Sequence, residues 1–167
     1  MDANFTLRAG AAADLAAVMA IERAPGFERW VGRSSAEEHR AMMDDANTAY
    51  LVGEAAGETV AFAILRDLND PHGNCYLKRV AVARPDQGVG GAFLEQVVDW
   101  AFDRVAAHRL WLDCFSYNAR AQRVYEKLGF TRDGVLREAY LGADGVRRDL
   151  TMMALTRPQR AERGARR

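Results

Sequence analysis

The stretch VAVARPDQGVGGAFLEQVVDWAF, residues 80–102, passes from an apolar run through a glycine-rich turn into an amphipathic helix. The run RLWLDCF follows it at 109–115. A strand that leads through a helix to another strand is a crossover, and a crossover places two parallel strands in one sheet. The elements on either side of this unit read as hairpins. TAYLVGEAAGETVAFAILRDL is two strands turned at Ala-Ala-Gly, CYLKRVAVA is a strand closed by Pro85, and GVLREAYLGADGVRRDLTMMAL is a hairpin turned at 142–145. FTLRAG supplies a first strand, followed by a helix with Leu15, Val18, Met19 and Glu22 at helical spacing that stops at Pro25 and Gly26. Ser34 or Ser35 caps a second helix, with Glu37 and Glu38 favouring its N-terminus. The helix 91–106 turns Phe93, Leu94, Val97, Val98, Ala101 and Val105 to one side and Glu95, Asp99 and Asp103 to the other. Asn118 opens a further helix that ends at Gly129. The order β-α-α-β-β-β-α-β-α-β-β predicts an α/β protein with a mixed α+β sheet and excludes a doubly wound one.

Composition narrows the function classes. A length of 167 residues with 49% apolar content is that of a single domain, expected over 1–156. The closing RPQRAERGARR, residues 157–167, holds five arginines and one glutamate and reads as a solvated, disordered tail. The body without it carries 18 basic and 22 acidic residues, which argues against a nucleic-acid-binding face. No apolar run is long enough to span a bilayer and no export signal is legible, so the expectation is a cytoplasmic protein. Cys75 and Cys114 sit singly inside apolar segments, as reduced core thiols do, and no metal-ligand spacing is present.

Gly88, Gly90 and Gly91 lie where a strand meets a helix N-terminus, the standard place to hold a phosphate against bare amides. A Walker loop needs Lys and Ser or Thr after the glycines, and GGAF has neither. A dinucleotide fingerprint breaks at Phe93, where its third glycine belongs, although Asp113 follows at the end of the next strand. The pattern Q-x-x-G-x-(G/A) is met in full by Gln87, Gly90 and Ala92. Together with NARAQRVYEKLGF at 118–130, it makes residues 5–156 resemble the GNAT superfamily of acyl-CoA N-acyltransferases.

The resemblance implies a mostly antiparallel sheet of six to seven strands, splayed in the middle and flanked by about four helices. It implies acetyl-CoA as acyl donor, with its diphosphate on the backbone of Gln87, Gly88, Val89, Gly90, Gly91 and Ala92. Strand 77–82 is then expected to part from strand 109–115, so that the segment Val80, Ala81 and Val82 meets the pantetheine arm. The amides of Val80 and Val82 are assigned that role, one of them stabilising the tetrahedral oxyanion. Val89 departs from the family, which more often has a basic or polar residue there.

Tyr125, seven residues after Asn118, falls where the family's general acid falls. A tyrosine, with an ordinary pKa of about 10 against about 8.5 for a thiol, stays protonated until the thiolate leaves. Asn118 caps its helix or bonds the pantetheine arm. Asp113 is the candidate base, on the strand face shared with Trp111 and Phe115. Glu54 and Tyr76 are weaker candidates, and His39 and His108 read as peripheral. Phe27, Trp30, Tyr117 and Tyr140 are expected to line an aromatic acceptor wall, with Glu37, Glu38, Asp44 and Asp45 attracting a cationic amine. No cysteine or serine is placed for an acyl-enzyme, so the reading is direct attack in a ternary complex on acetyl-CoA by a primary amine: a small amine, an amino-acid-like molecule or a protein N-terminus. A homodimer is expected, and no metal. The alternative is a non-catalytic acyl-CoA sensor.

Overall fold

The computed structural model describes residues 5–85 and 88–165. Its elements are β1 (Thr6–Ala9), α1 (Leu15–Glu22), α2 (Ala36–Asp44), β2 (Thr48–Ala55), β3 (Glu58–Arg66), β4 (Asn74–Val82), α3 (Val89–Asp103), β5 (Arg109–Phe115), α4 (Ala119–Lys127), β6 (Thr131–Leu141), β7 (Arg147–Thr156) and α5 (Arg157–Ala165). The seven strands form one sheet in the order β1-β2-β3-β4-β5-β7-β6. Every pairing is antiparallel except that of β4 with β5, the crossover that α3 spans.

Local chemistry sets the helix ends. Ser35 and Glu38 form a reciprocal capping box at α2: the Glu38 amide donates to Ser35 Oγ (3.1 Å), and the Ser35 amide donates to Glu38 Oε2 (2.7 Å). Asn118 Oδ1 accepts from the Ala121 amide at 3.1 Å and caps α4. Gly88 opens α3 at φ +78°, a left-handed conformation that costs glycine little. The helix therefore begins two residues earlier than its apolar periodicity suggests and ends at Asp103.

Each face of the sheet carries a core. On one, Phe93, Leu94, Val97, Val98 and Phe102 of α3 pack on Leu77, Leu110, Leu112 and Leu155. On the other, Val18 and Ile21 of α1 pack on Val52, Phe62 and Ile64. At roughly 1.5–3 kcal/mol for each large side chain fully removed from water, these two layers hold the sheet between its helices.

The Arg-rich segment read as a disordered tail is a helix. In α5, Arg160 bridges Asp99 and Asp103 at 2.8 and 2.9 Å, and Arg163 reaches Glu95 at 3.1 Å. Arg157 donates to the carbonyls of Phe102 and Ala107, each at 2.7 Å. The acidic stripe of α3 is thus the docking face for α5. Composition within the tail cannot show this, because the partners lie some sixty residues upstream.

β4 and β5 pair only through Asn74 with Arg109, Cys75 with Leu110 and Tyr76 with Trp111. Beyond Tyr76 the two strands part. The register of β3 on β4 also slips there: Leu65 faces Leu77 and Ile64 faces Arg79, leaving Lys78 as the extra residue of a bulge that bends β4.

Candidate active site

The splay opens a groove between the halves of the sheet, and three contiguous cavities follow it. Val31 lines all three. The donor-side cavity, about 550 Å³, lies between Val80, Val82, Gly88, Gly90 and Gly91 on one side and α4 on the other. A central cavity of about 280 Å³ sits at the crotch of the splay, among Tyr76, Lys78, Asp113 and Tyr125. The outer cavity, about 570 Å³, is bounded by residues 28–33 and by the β6–β7 turn.

The donor-side wall is built from backbone. A Cβ at Gly88 or Gly91 would meet no heavy atom of the protein within 4 Å, so the space before these residues belongs to the groove. Free amides at the first turn of α3 and the positive end of its dipole give this space hydrogen-bond donors and a positive potential. Gln87 lies outside the described residues. Along β4, the Ala83 amide donates to the Val60 carbonyl on β3 at 2.8 Å. Alternate amides point to opposite neighbours, so those of Val82 and Val80 point away from β3, across the splay, while that of Ala81 turns to β3. Ala81 contributes wall. Val89 and Ala92 belong to the same first turn of α3.

At the centre, Tyr125 is partly buried on α4 with its ring 5.9 Å from Phe130. Its hydroxyl has no partner among the described residues and is not sealed from solvent, so it opens to the groove. Burial, and secondarily Cys114 and Asp113, push its pKa well above the ordinary tyrosine value. Tyr76 stacks on Trp111 (4.1 Å, 14°) and donates its hydroxyl to Asp113 Oδ2 at 2.7 Å. Burial first, then Asp113, hold Tyr76 protonated. Tyr76, the weaker candidate in sequence, is therefore the residue that orients Asp113; pairing β4 and β5 in parallel register sets them side by side, a signal no local pattern carries. Cys114 lines the same cavity, but burial pushes its thiol up to about 11, the inert direction for a nucleophile. Lys78 lines it too, and burial lowers its ammonium pKa. Asn118 spends Oδ1 on its cap and lines both the donor-side and central cavities.

Two expectations are overturned nearby. His39 is fully buried, not peripheral. Its Nε2 donates to Glu22 Oε1 at 3.1 Å, which leaves Nδ1 to accept from the Tyr50 hydroxyl at 2.8 Å. Glu22, also fully buried, accepts from Arg23, from the Ser34 amide (3.3 Å) and, through Oε2, from Arg79 Nη1 (2.8 Å). Arg79 donates further to Ser34 Oγ at 3.3 Å, so the chain Tyr50–His39–Glu22–Arg79 braces the loop that carries Val31 and Gly32. Glu54 is occupied with Arg8 at 2.6 Å, away from the groove.

The acidic acceptor set also lies elsewhere. Glu38 is spent on the capping box, Asp45 on Asn47 and Thr48, and none of Glu37, Glu38, Asp44 or Asp45 lines the three cavities. The aromatic wall exists with one exchange. Trp30 meets Tyr117 directly (5.5 Å), and Phe115 joins Tyr117 to Tyr140, stacking on the first (5.2 Å, 5°) and meeting the second edge-on (5.0 Å, 83°), while Phe27 lines the donor-side cavity. Among the described residues no helix is long and apolar enough to cross a membrane, and no group of three or more His, Cys, Asp or Glu is placed to hold a metal ion.

A splayed mixed sheet with a glycine-lined helix N-terminus at the parting strands defines an acyl-CoA transferase class of architecture. Residues 15–130 match the model of the acetyltransferase (GNAT) family, and the chain belongs to that family. It is similar to ribosomal protein bS18 alanine N-acetyltransferase from Escherichia coli, with 39% identity over 102 residues; the match spans 59% of this chain and 65% of that one. The Shigella flexneri protein of the same name matches equally. The fold is that of a spermidine N-acetyltransferase from Vibrio cholerae, solved in complex with CoA and spermine, with a TM-score of 0.83 over 96% of this chain and 99% of that one at 19% identity.

Proposed function

We propose that the protein transfers an acetyl group from acetyl-CoA to a primary amine by direct attack. The observation that carries this reading is convergence. The bare N-terminus of α3, the outward amides of Val80 and Val82 and the hydroxyl of Tyr125 all face one groove. The glycine amides and the helix dipole bind the diphosphate, in space that any side chain at Gly88 or Gly91 would take. The wedge amides extend the half-sheet onto the pantetheine arm, and one of them donates to the thioester carbonyl oxygen as charge builds there. Asp113, held through Oδ2 by Tyr76, has Oδ1 to take a proton from the acceptor ammonium, and the neutral amine so freed attacks the thioester carbon. Tyr125, kept protonated by burial, donates to the sulfur as the carbon–sulfur bond breaks. The raised thiol pKa of Cys114 speaks for direct attack over an acyl-cysteine. Relatives named for a protein N-terminal alanine and for spermidine span the acceptor classes open to such a groove.

The test is Tyr125→Phe, assayed by thiol release at saturating amine. Turnover is expected to fall about 100-fold, within the usual range for a lost general acid, while acetyl-CoA affinity by calorimetry stays within about twofold. Unchanged turnover removes Tyr125 from the reaction. Acetyl-CoA binding without thiol release from any amine makes the protein a sensor.

A further inference from the structure

We infer that the amine acceptor carries an anionic group, which the outer cavity binds through Arg29. This rests on the acetyl-transfer reading and concerns the far end of the same groove. The outer cavity has three cations, Arg29, Arg33 and Arg148, and two carboxylates, Glu28 and Asp144. Both carboxylates are engaged. Arg148 holds Asp144 by two bonds, Nη1 to Oδ1 at 2.9 Å and Nη2 to Oδ2 at 2.6 Å, and the Val146 amide adds a third at 3.1 Å. Glu28 lies 3.8 Å from Arg33. Arg29 has no side-chain partner among the described residues, and its backbone is fixed because its carbonyl accepts from the Tyr117 hydroxyl at 2.9 Å. The net charge of the lining is therefore positive, and its unspent member is an arginine at the rim. Arg29 lines the outer cavity and not the donor-side one, so coenzyme A does not account for it.

A second ammonium on the acceptor would instead meet Arg29 in the outer cavity, and like charges brought together across a recognition surface are strongly disfavoured. A carboxylate gains Arg29's planar fork. The chemistry that fits is an amine separated by a short chain from a carboxylate, either a free amino acid or the acidic N-terminal segment of a protein.

Two matched pairs separate these sources: γ-aminobutyrate against putrescine, and the amidated peptide Ala-Asp-Asp-Ala against Ala-Lys-Lys-Ala. The expected result is a kcat/KM at least about tenfold higher for the anionic member of the pair the protein uses. A preference in the first pair identifies a small-molecule acceptor, and in the second a protein N-terminus. Arg29→Glu, at an exposed loop position, is expected to bring the ratio to one or below without changing acetyl-CoA affinity. Raised ionic strength should flatten the wild-type ratio, an arm that needs no variant. Equal or better use of putrescine and the lysine peptide overturns the inference and leaves acetyl transfer standing. No thiol release from either anionic acceptor, with acetyl-CoA bound, overturns the inference, and acetyl transfer falls with it only if no amine of any charge releases thiol.

Discussion

Replacing Glu22 with Gln isolates the buried polar chain under the acceptor loop. The substitution keeps the volume and removes one acceptor oxygen from a group whose surroundings are all donors: His39, Arg23 and the Ser34 amide at Oε1, and Arg79 at Oε2. Whichever way the new amide is turned, its NH2 faces either Arg79 or the imidazole N–H, so at least one buried donor loses its partner. Glu22 and His39 are 0% exposed and the Arg79 side chain 8%, so water cannot replace the bond. Breaking a buried pair on one side costs about 3–5 kcal/mol, and the half-open Arg23 can turn to solvent, which places the loss near 3 kcal/mol. For a chain of this length that is roughly 6–12 °C in Tm. Urea unfolding followed by the fluorescence of Trp30, Trp100 and Trp111 measures it at neutral pH. Arg148→Ala, which breaks an exposed pair, is the control, with a loss of at most about 1 kcal/mol. A Glu22→Gln loss below about 1 kcal/mol would show that the chain is not buried as described. Because Arg79 and Ser34 brace the loop at Gly32, the same variant is expected to raise the acceptor KM more than that of acetyl-CoA.

Two further outcomes are accessible. Asp14 is held by Nη1 and Nη2 of Arg8, each at 2.8 Å, which brings its pKa down to about 2 from an ordinary 3.8. A carboxyl whose folded pKa is depressed adds stability above its unfolded pKa and loses it as pH falls towards the folded one. Asp14→Asn should therefore lower stability at neutral pH and flatten the acid-unfolding curve between about pH 4 and pH 2, measured by circular dichroism. An unchanged curve would place the acid sensitivity elsewhere. Gly91→Val, whose Cβ meets nothing in the protein, should leave thermal stability intact and weaken acetyl-CoA binding at least about tenfold, the scale of a lost bond to a charged group. Unaltered affinity would put the diphosphate somewhere other than the start of α3.

The parts legible in sequence were those with short-range signatures. The crossover through α3 and the hairpins follow from periodicity and turn residues, and the Gln87-to-Ala92 pattern with Asn118 and Tyr125 marks the family, whose splayed sheet the structure displays. What escaped depends on partners distant in the chain. His39 looks like a lone surface histidine until α1 and α2 bring Glu22 and Tyr50 to its two ring nitrogens. Arg160 looks like part of a charged tail until α5 meets Asp99 and Asp103. Glu37 and Glu38 suggested a cation trap because acidic composition says nothing about direction; the capping box spends Glu38 at the start of α2. Tyr76 and Asp113 become a pair only through the β4–β5 register.

The short β4–β5 joint also divides the chain as a folding problem. Strands β1 to β4 are neighbours through residues 6–82, and β5, β7 and β6 through residues 109–156. Apart from β1 on β2, whose connection carries α1 and α2, and β5 on β7, whose connection carries α4 and β6, each antiparallel partner is reached over a modest loop. The parallel joint has to close over the whole of α3, a long-range closure that costs loop entropy. Three residue pairs of backbone bonding then unite two half-sheets. The groove lies along this suture, so a substitution at Asn74 or Arg109, outside the buried core, would act first on the alignment of the two halves and only through that on chemistry.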